Sequence, residues 1–198
     1  MTKYILNSGG LKRYSDKADK FHKEIVKDLG SSPRILFCFF AVPREVWEEK
    51  FSQYSQRFLQ SMDDGIAPKI NLAFPNKFVE QVKNSDAIII HGGDDKLLLY
   101  HLKKYNLPSI WQGKVVAGSS AGSDTLVKYF WTCDWRCVME GLGILPIKFI
   151  PHYKSDYNSD SLDGPIDWDK AYRELEDYGD KSLPIYALEE GDFIVENR

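Results

Sequence analysis

Short apolar runs alternate with longer amphipathic segments along the whole chain. Strands are predicted over 4–6, 34–42, 69–74, 87–91 and 114–117, and apolar residues recur at helical spacing over 17–29, 47–62, 77–83 and 97–105. The runs RILFCFFAV and AIIIH are almost continuously apolar, which is typical of central parallel strands buried on both faces. This alternation predicts an α/β fold, in which helices cover both faces of a mostly parallel sheet.

Length and composition indicate one ordinary globular domain. The chain has 198 residues, of which 43% are hydrophobic and 28% charged, and it contains no repeat or linker, so a single domain over 1–198 is expected. The formal net charge is −3, and basic residues are mixed with acidic ones. Because nucleic-acid binding normally requires a basic surplus, no nucleic-acid partner is expected.

The cysteines and the apolar runs bear on location and metal binding. Cys38 lies in an apolar run and is expected to be buried, while Cys133 and Cys137 lack the second pair or nearby histidines of a metal site. The sparse cysteines fit a reducing compartment, and no segment suits a signal peptide or a membrane span, so a cytoplasmic protein is expected. Aromatic residues such as Trp47 and Trp131 could form a homodimer face, although core packing explains them equally well.

Three glycine-containing loops follow predicted strands, at 8–10, 92–95 and 118–122. In open α/β sheets the ligand site lies beyond the carboxyl ends of the strands. The three loops are therefore expected to converge on one site.

The segment Gly118–Gly122 matches the G-x-S-x-G pattern of a nucleophile turn. A strand is predicted before it, and the residues 123–130 after it have helical spacing. A sharp strand-to-helix turn would expose the Ser120 hydroxyl and direct the helix N-terminus and the Ala121 amide at a developing oxyanion. The alternative is a tight turn that binds nothing, or one that binds a phosphate.

A serine nucleophile requires a base, and His152 is the best-placed histidine because it follows a strand that ends at Pro151. His22 and His101 lie on predicted helices and are expected to be solvated. His91 ends a buried strand, where it could line the site or cap the strand.

A carboxylate should orient the imidazole of the base. Asp134 lies between the nucleophile turn and His152, and Glu190 lies in a Glu-Gly turn. The sequence does not choose between them.

Together these residues resemble the dipeptidase E and cyanophycinase family of serine peptidases, which has a class I glutamine amidotransferase-like fold, a three-layer sandwich. The likeness is carried by IIIHGGDD at 88–95, the turn at 118–122, GILP at 143–146 leading to IPHY at 150–153, and LEEG at 188–191. It covers roughly residues 85–195, and the order of the segments makes it more specific than the turn alone.

The resemblance implies roles for these residues. Ser120 would be the nucleophile and His152 the base, and both Asp134 and Glu190 match carboxylates regarded as the third member of the triad. The amides of Gly92, Gly93 and Ala121 would stabilise the oxyanion. Neither a metal nor an organic cofactor is implied.

Two departures from the family pattern affect specificity. Asp94 and Asp95 replace the usual third glycine and asparagine of the oxyanion loop, and a carboxylate there would oppose an oxyanion. The stretch 163–169 is acidic where aspartyl dipeptidases carry a basic residue that grips the substrate. An acidic cleft is therefore expected, which would suit a free α-amino group or a basic or neutral side chain.

The leading hypothesis is a serine dipeptidase or exopeptidase that cleaves short peptides through an acyl-enzyme on Ser120. One alternative is a catalytically silent binding protein that uses an acidic cleft for a small molecule carrying an amine. Another is an esterase or amidase with the same residues and a non-peptide substrate.

Overall fold

The computed structural model describes residues 1–198 and contains a central sheet of six strands in the order β10-β1-β5-β4-β2-β3. Five strands are parallel, and β10 is antiparallel to β1 at the edge. The α/β class with a mostly parallel central sheet is confirmed. The strands are β1 (Lys3–Asn7), β2 (Arg34–Cys38), β3 (Lys69–Leu72), β4 (Ala87–Ile90), β5 (Val115–Ser119) and β10 (Phe193–Asn197).

Seven α-helices connect or flank the strands: α1 (Ser15–Val26), α2 (Trp47–Gln60), α3 (Phe78–Lys83), α4 (Asp95–Leu102), α5 (Leu107–Ile110), α6 (Ala121–Asp124) and α7 (Trp168–Asp177). Helices α1 and α2 contact each other through an Arg57–Asp19 ion pair of 2.9 Å, and α3 contacts α5. From β1 through β2 to β3, the chain moves towards one edge of the sheet, and α1 and α2 make these connections. From β3 through β4 to β5 it moves in the opposite direction, through α3, α4 and α5. Right-handed crossovers therefore place the two pairs on opposite faces. No helix combines the length and apolar character that crossing a bilayer would require.

A second sheet of four strands follows the nucleophile turn, in the order β7-β6-β8-β9. Its strands are β6 (Val127–Thr132), β7 (Cys137–Glu140), β8 (Leu145–Ile150) and β9 (Ile185–Ala187). The helix predicted over 123–130 is wrong, because α6 ends at Asp124 and β6 begins three residues later. The segment VKYFWT is rich in β-branched and aromatic residues, whose strand preference outweighs the helical spacing.

The two sheets share one hydrophobic core. Phe130 and Phe149 of the second sheet belong to the same buried cluster as Ile5 and Val116 of the central sheet. Trp47 and Trp131 are also buried within the chain, which supports the core-packing interpretation. The homodimer stays a prediction.

Strand β2 ends at Cys38, although the apolar run predicted a strand as far as Val42. Residues 39–42 instead form a buried turn, in which the Val42 amide donates to the Phe39 carbonyl at 3.1 Å. The Ala41 carbonyl accepts from the Asp94 amide at 2.8 Å, so this turn supports the glycine loop after β4.

Candidate active site

Ser120 occupies a strained turn at the carboxyl end of β5. Its φ of 52° and ψ of −121° lie in a region that non-glycine residues rarely adopt. A Cβ on Gly118 would lie 2.5 Å from the Ser123 nitrogen, and one on Gly122 would lie 2.0 Å from the Ile90 carbonyl oxygen, so both flanking positions require glycine. The following helix has only four residues, so the site depends on individual amides more than on a helix dipole.

His152 follows β8 and reaches the nucleophile directly. Its Nε2 lies 3.0 Å from the Ser120 Oγ. The backbone of His152 has a φ of 54°, and its amide donates to the Ser8 Oγ at 2.7 Å. The imidazole is thus held from both its backbone and its ring.

Glu190 lies in the turn between β9 and β10 and completes the chain of hydrogen bonds. Its Oε1 is 2.8 Å from the His152 Nδ1, and the side chain is buried. The hydrogen bond from His152 lowers the pKa of Glu190, and the Arg13 guanidinium, 3.6 Å from its Oε2, acts in the same direction. Glu190 is therefore a carboxylate at neutral pH, able to stabilise a charged imidazole.

Asp134, the other candidate for the orienting carboxylate, does not contact His152. It lies in the turn between β6 and β7, where its Oδ1 accepts from the Tyr157 hydroxyl at 2.9 Å and from the Asn158 amide at 3.0 Å. The Tyr157 ring stacks on the His152 ring with centroids 4.1 Å apart. The structure brings Ser120, His152 and Glu190 together and leaves Asp134 one side chain away.

Gly92 and Gly93 follow β4 and line the cavity, and Gly92 packs against the nucleophile turn. Neither amide donates to a backbone carbonyl, so both are available to a ligand. A Cβ on Gly92 would lie 3.0 Å from the Ser120 Cβ, and one on Gly93, at φ 148°, would lie 2.4 Å from the Ala41 carbonyl oxygen. The Ala121 amide begins α6, where it has no intrahelical acceptor.

Asp94 and Asp95 both have partners within the fold. Asp94 caps α4, and its Oδ1 accepts from the Leu97 amide at 2.7 Å with an ordinary φ of −72°. Asp95 is buried and accepts from the Thr132 hydroxyl at 2.5 Å. Asp94 therefore adopts a backbone conformation that does not require the glycine usual at this position.

A cavity of about 560 Å³ opens beside Ser120. The basic residues Lys12, Arg13 and Arg57 line it, whereas Glu190 is its only acidic residue and the stretch 163–169 takes no part. The prediction of an acidic cleft is wrong, because the acidic stretch 163–169 lies outside the cavity. The alternative of a catalytically silent binding protein depended on an acidic cleft, and this cavity does not provide one. The other lining residues are Gly9, Gly10, Leu11, Ser15, Ala18, Phe21, His22, Phe37, Gln53, Tyr54, Phe58, Ile89, His91, Gly92, Gly93, Ser119, Ser120, His152 and Tyr157.

Two neutral histidines form part of the cavity wall. His91 stacks on Phe39 with centroids 4.3 Å apart, and burial lowers its pKa to about 3. His22 was expected to be solvated, but it is buried against Phe58, its Nδ1 lies 2.8 Å from the Ser61 Oγ, and burial lowers its pKa to about 4. The ring of His101 packs against the ring of Phe40. Among the histidines, only His152 contacts Ser120.

Sequence reasoning gave no role to Asn7 and Ser8, two polar residues that tie the site together, although the loop 8–10 was expected at the site. The Asn7 Nδ2 donates to the Gly191 carbonyl at 3.1 Å, and its Oδ1 accepts from the Gly9 amide at 2.8 Å. The Ser8 hydroxyl donates to the Leu188 carbonyl at 2.7 Å while accepting from the His152 amide. Their signal was their position at the carboxyl end of the first strand.

No group of three or more histidine, cysteine, aspartate or glutamate side chains is arranged to hold a metal ion. The fold and the serine–histidine–carboxylate arrangement are those of a serine hydrolase built on an α/β sheet. The sequence profile of peptidase family S51 matches residues 4–197, and the chain belongs to this family of serine-type peptidases.

Known proteins agree with this assignment. The chain is 29% identical over 123 residues to a peptidase E from Shewanella amazonensis (strain ATCC BAA-1098 / SB2B). That match covers 57% of this chain and 51% of the relative, so it spans about half of the curated protein.

Two solved structures share the fold. A peptidase from an acI-B1 Actinobacterium superposes with a TM-score of 0.66 at 24% identity, covering 99% of this chain and 83% of that chain. A Listeria monocytogenes EGD-e protein assigned by name to peptidase E superposes with a TM-score of 0.63 at 14% identity, covering 100% and 99%.

Proposed function

We propose that this protein hydrolyses short peptides through an acyl-enzyme on Ser120. The observation that carries the proposal is the continuous hydrogen-bond chain from Ser120 through His152 to Glu190, with contacts of 3.0 and 2.8 Å. Membership of family S51 supports a peptide as the substrate. The cavity of about 560 Å³ is of a size that suits a small ligand.

In this proposal His152 removes the proton from the Ser120 hydroxyl as the oxygen attacks the scissile carbonyl. Glu190 accepts a hydrogen bond from the Nδ1–H of His152, and this bond fixes the tautomer and stabilises the imidazolium. His152 then gives its proton to the leaving amine, and a water molecule repeats the sequence to release the acid.

The negative charge on the tetrahedral intermediate needs donors that are already in place. The amides of Gly92 and Gly93 are unpaired, and both residues line the cavity beside Ser120, with Gly92 packed against it. The Ala121 amide directly follows Ser120 in the chain. We assign these backbone groups to the oxyanion site.

Labelling with a fluorophosphonate, followed by intact-protein mass spectrometry, tests the nucleophile. The wild type should gain one adduct, and Ser120→Ala should gain none. His152→Ala should react more slowly by roughly 10³-fold or more, because the hydroxyl loses its base. Ser109→Ala, an exposed serine of α5, is the matched control and should react like the wild type. A folded wild type that takes no label would refute the mechanism.

A panel of dipeptides, longer peptides and simple esters then separates a peptidase from the esterase or amidase alternative, which would use the same residues. Cleavage of esters without any peptide cleavage would overturn the peptide assignment.

The cysteines support a proposed cytoplasmic location. Cys38, Cys133 and Cys137 are all free thiols, and Cys137 is exposed. Free exposed thiols are usual where the surroundings are reducing.

A further inference from the structure

Two carboxyl groups that the proposed mechanism does not use lie buried behind the catalytic loops. Asp95 is 3% exposed and Asp124 is 2% exposed. Asp95 begins α4, two residues after Gly93, and Asp124 ends α6, four residues after Ser120. Helices α4 and α6 pack against each other, so the pair lies where the glycine loop and the nucleophile turn are joined.

Burial raises the pKa of Asp124 and the neighbouring Asp95 raises it further, so the two side chains lie beside each other. The Oδ1 atoms of both residues are buried and have no hydrogen-bond partner, while the Asp95 Oδ2 accepts from the Thr132 hydroxyl. Two ionised carboxylates cannot bond to each other, and their like charges repel. One proton held between them satisfies both unpaired oxygens.

The surroundings favour that proton. The negative charges of Asp134 and Asp94 also raise the pKa of Asp95. The same group of acidic residues raises the pKa values of Tyr157 and Cys133. No cation is among the groups that shift the pKa of Asp95 or Asp124. Burial raises the pKa of Asp95 to about 6 and that of Asp124 well above its usual range.

We propose that Asp95 and Asp124 share one proton, and that this bond positions the Gly92–Gly93 amides against Ser120. Asp124 is the donor and Asp95 the acceptor, because Asp95 already accepts from Thr132. Both are positioning residues, since neither lines the cavity. The positioning of the Gly92–Gly93 amides for catalysis rests on the proposed function, whereas the shared proton does not.

The fit around the pair is tight enough for such a bond to matter. The Ile90 carbonyl, at the end of β4, lies so close to α6 that a Cβ on Gly122 would be 2.0 Å away. When the shared proton is lost, two buried carboxylates repel across this contact. The glycine loop then moves relative to Ser120, and acylation slows.

The shared proton predicts a particular pH dependence of stability. Both carboxyls have folded-state pKa values above their unfolded values. Their contribution is therefore complete below the unfolded pKa and is lost as the pH rises from there through the folded values. For Asp95 the loss is complete near pH 6, and for Asp124 it continues to higher pH.

Asp124→Asn tests the bond, because an amide donates to Asp95 without a proton that can be lost. The free energy of unfolding should fall less steeply than in the wild type between about pH 5 and pH 9. Asp64→Asn, an exposed residue before β3, is the matched control and should keep the wild-type slope.

Fluorophosphonate labelling rates give the catalytic readout. Asp124→Ala should slow labelling by about tenfold or more, and Asp124→Asn should restore the rate to within about threefold and keep it at higher pH. An unchanged stability slope in Asp124→Asn would overturn the shared proton. Equal losses for the alanine and asparagine variants would overturn the positioning role. If Asp124→Ala does not fold, the pH dependence of labelling replaces that comparison. A fall in the labelling rate at high pH that is equal in the wild type and in Asp124→Asn would also overturn the positioning role.

The two proposals fail in different ways. If the wild type takes no label at any pH, the proposed function fails, while the stability slope still decides whether the proton is shared.

Discussion

At the scale of single residues, Glu190 lies where positive charge develops on His152 during catalysis. It is buried, it bonds to the imidazole at 2.8 Å, and Arg13 compensates its charge from the outer side at 3.6 Å. Lys17 also donates to the Glu190 carbonyl at 3.0 Å, which fixes the turn that carries the side chain. A carboxylate held in this way keeps the imidazole in one tautomer without needing to move.

Glu190→Gln should therefore lower kcat by about 10²- to 10⁴-fold, because the amide removes the charge and can stabilise the wrong tautomer. The measurement is steady-state hydrolysis of a peptide or ester on which the wild type is active. Asp134→Asn is the matched control, since Asp134 contacts Tyr157 and Asn158 but not His152. Its kcat should fall by less than about tenfold, the cost of a weakened neutral hydrogen bond. A larger loss in Asp134→Asn than in Glu190→Gln would reverse the assignment of the carboxylate.

Chain order alone could not decide between these two carboxylates. Asp134 and Glu190 both lie in turns, and which one reaches the imidazole depends on the path of the second sheet. His152 was easier to predict, because it directly follows an apolar strand that ends at the site edge of the molecule. The roles of Asn7 and Ser8 were missed because they are bonds to residues more than 100 positions away in the chain, as in the Ser8–Leu188 and Ser119–Asn7 contacts.

At the scale of elements, the loop after β1 packs directly on the catalytic pair. Gly9 has a φ of 98°, and a Cβ there would lie 2.5 Å from the His152 Cε1 and 3.1 Å from the Ser120 Cβ. Gly113 also has a positive φ, of 75°, but a Cβ there would meet nothing within 4 Å. The two positions share the backbone requirement and differ in their contact with the site.

Gly9→Ala should therefore abolish or strongly reduce fluorophosphonate labelling, because its methyl group displaces the imidazole from Ser120. Gly113→Ala should label like the wild type. Both variants should lose about 1–2 kcal/mol of stability from the left-handed backbone, measured by chemical denaturation. Normal labelling of a folded Gly9→Ala protein would show that this loop tolerates displacement and does not fix the catalytic geometry.

The central sheet was predictable because its strands are buried on both faces and read as continuous apolar runs. In the second sheet, the strand that precedes His152 was predicted, whereas β7 and β9 were missed. These two strands have four and three residues and are partly exposed, so no periodicity distinguishes them from loops. The error at β6 arose because its apolar residues fall by chance at helical spacing. The position of the nucleophile turn was unaffected, because it depends on β5 and on the glycines around it.

At the scale of the whole molecule, the candidate site is assembled from both sheets. Ser120 follows β5 of the central sheet, whereas His152 and Glu190 follow β8 and β9 of the second sheet. The two sheets share a core cluster of 37 buried residues, to which both contribute. We therefore propose that residues 1–198 form one folding unit and that the triad exists only while both sheets are folded.

Unfolding in denaturant should then be a single cooperative transition. Far-UV circular dichroism, tryptophan fluorescence and the residual rate of fluorophosphonate labelling should share one midpoint. The fluorescence reports on both regions, because Trp111 is buried in the main core and Trp131 in a smaller cluster with Ile150 and Leu175. Ser120→Ala, followed by the two optical probes alone, controls for stabilisation by the label. Loss of labelling at a lower denaturant concentration than the loss of secondary structure would show that the second sheet unfolds separately. The site would then depend on a weaker, independently stable part of the chain, and variants in β8 and β9 would affect activity before they affect the central sheet.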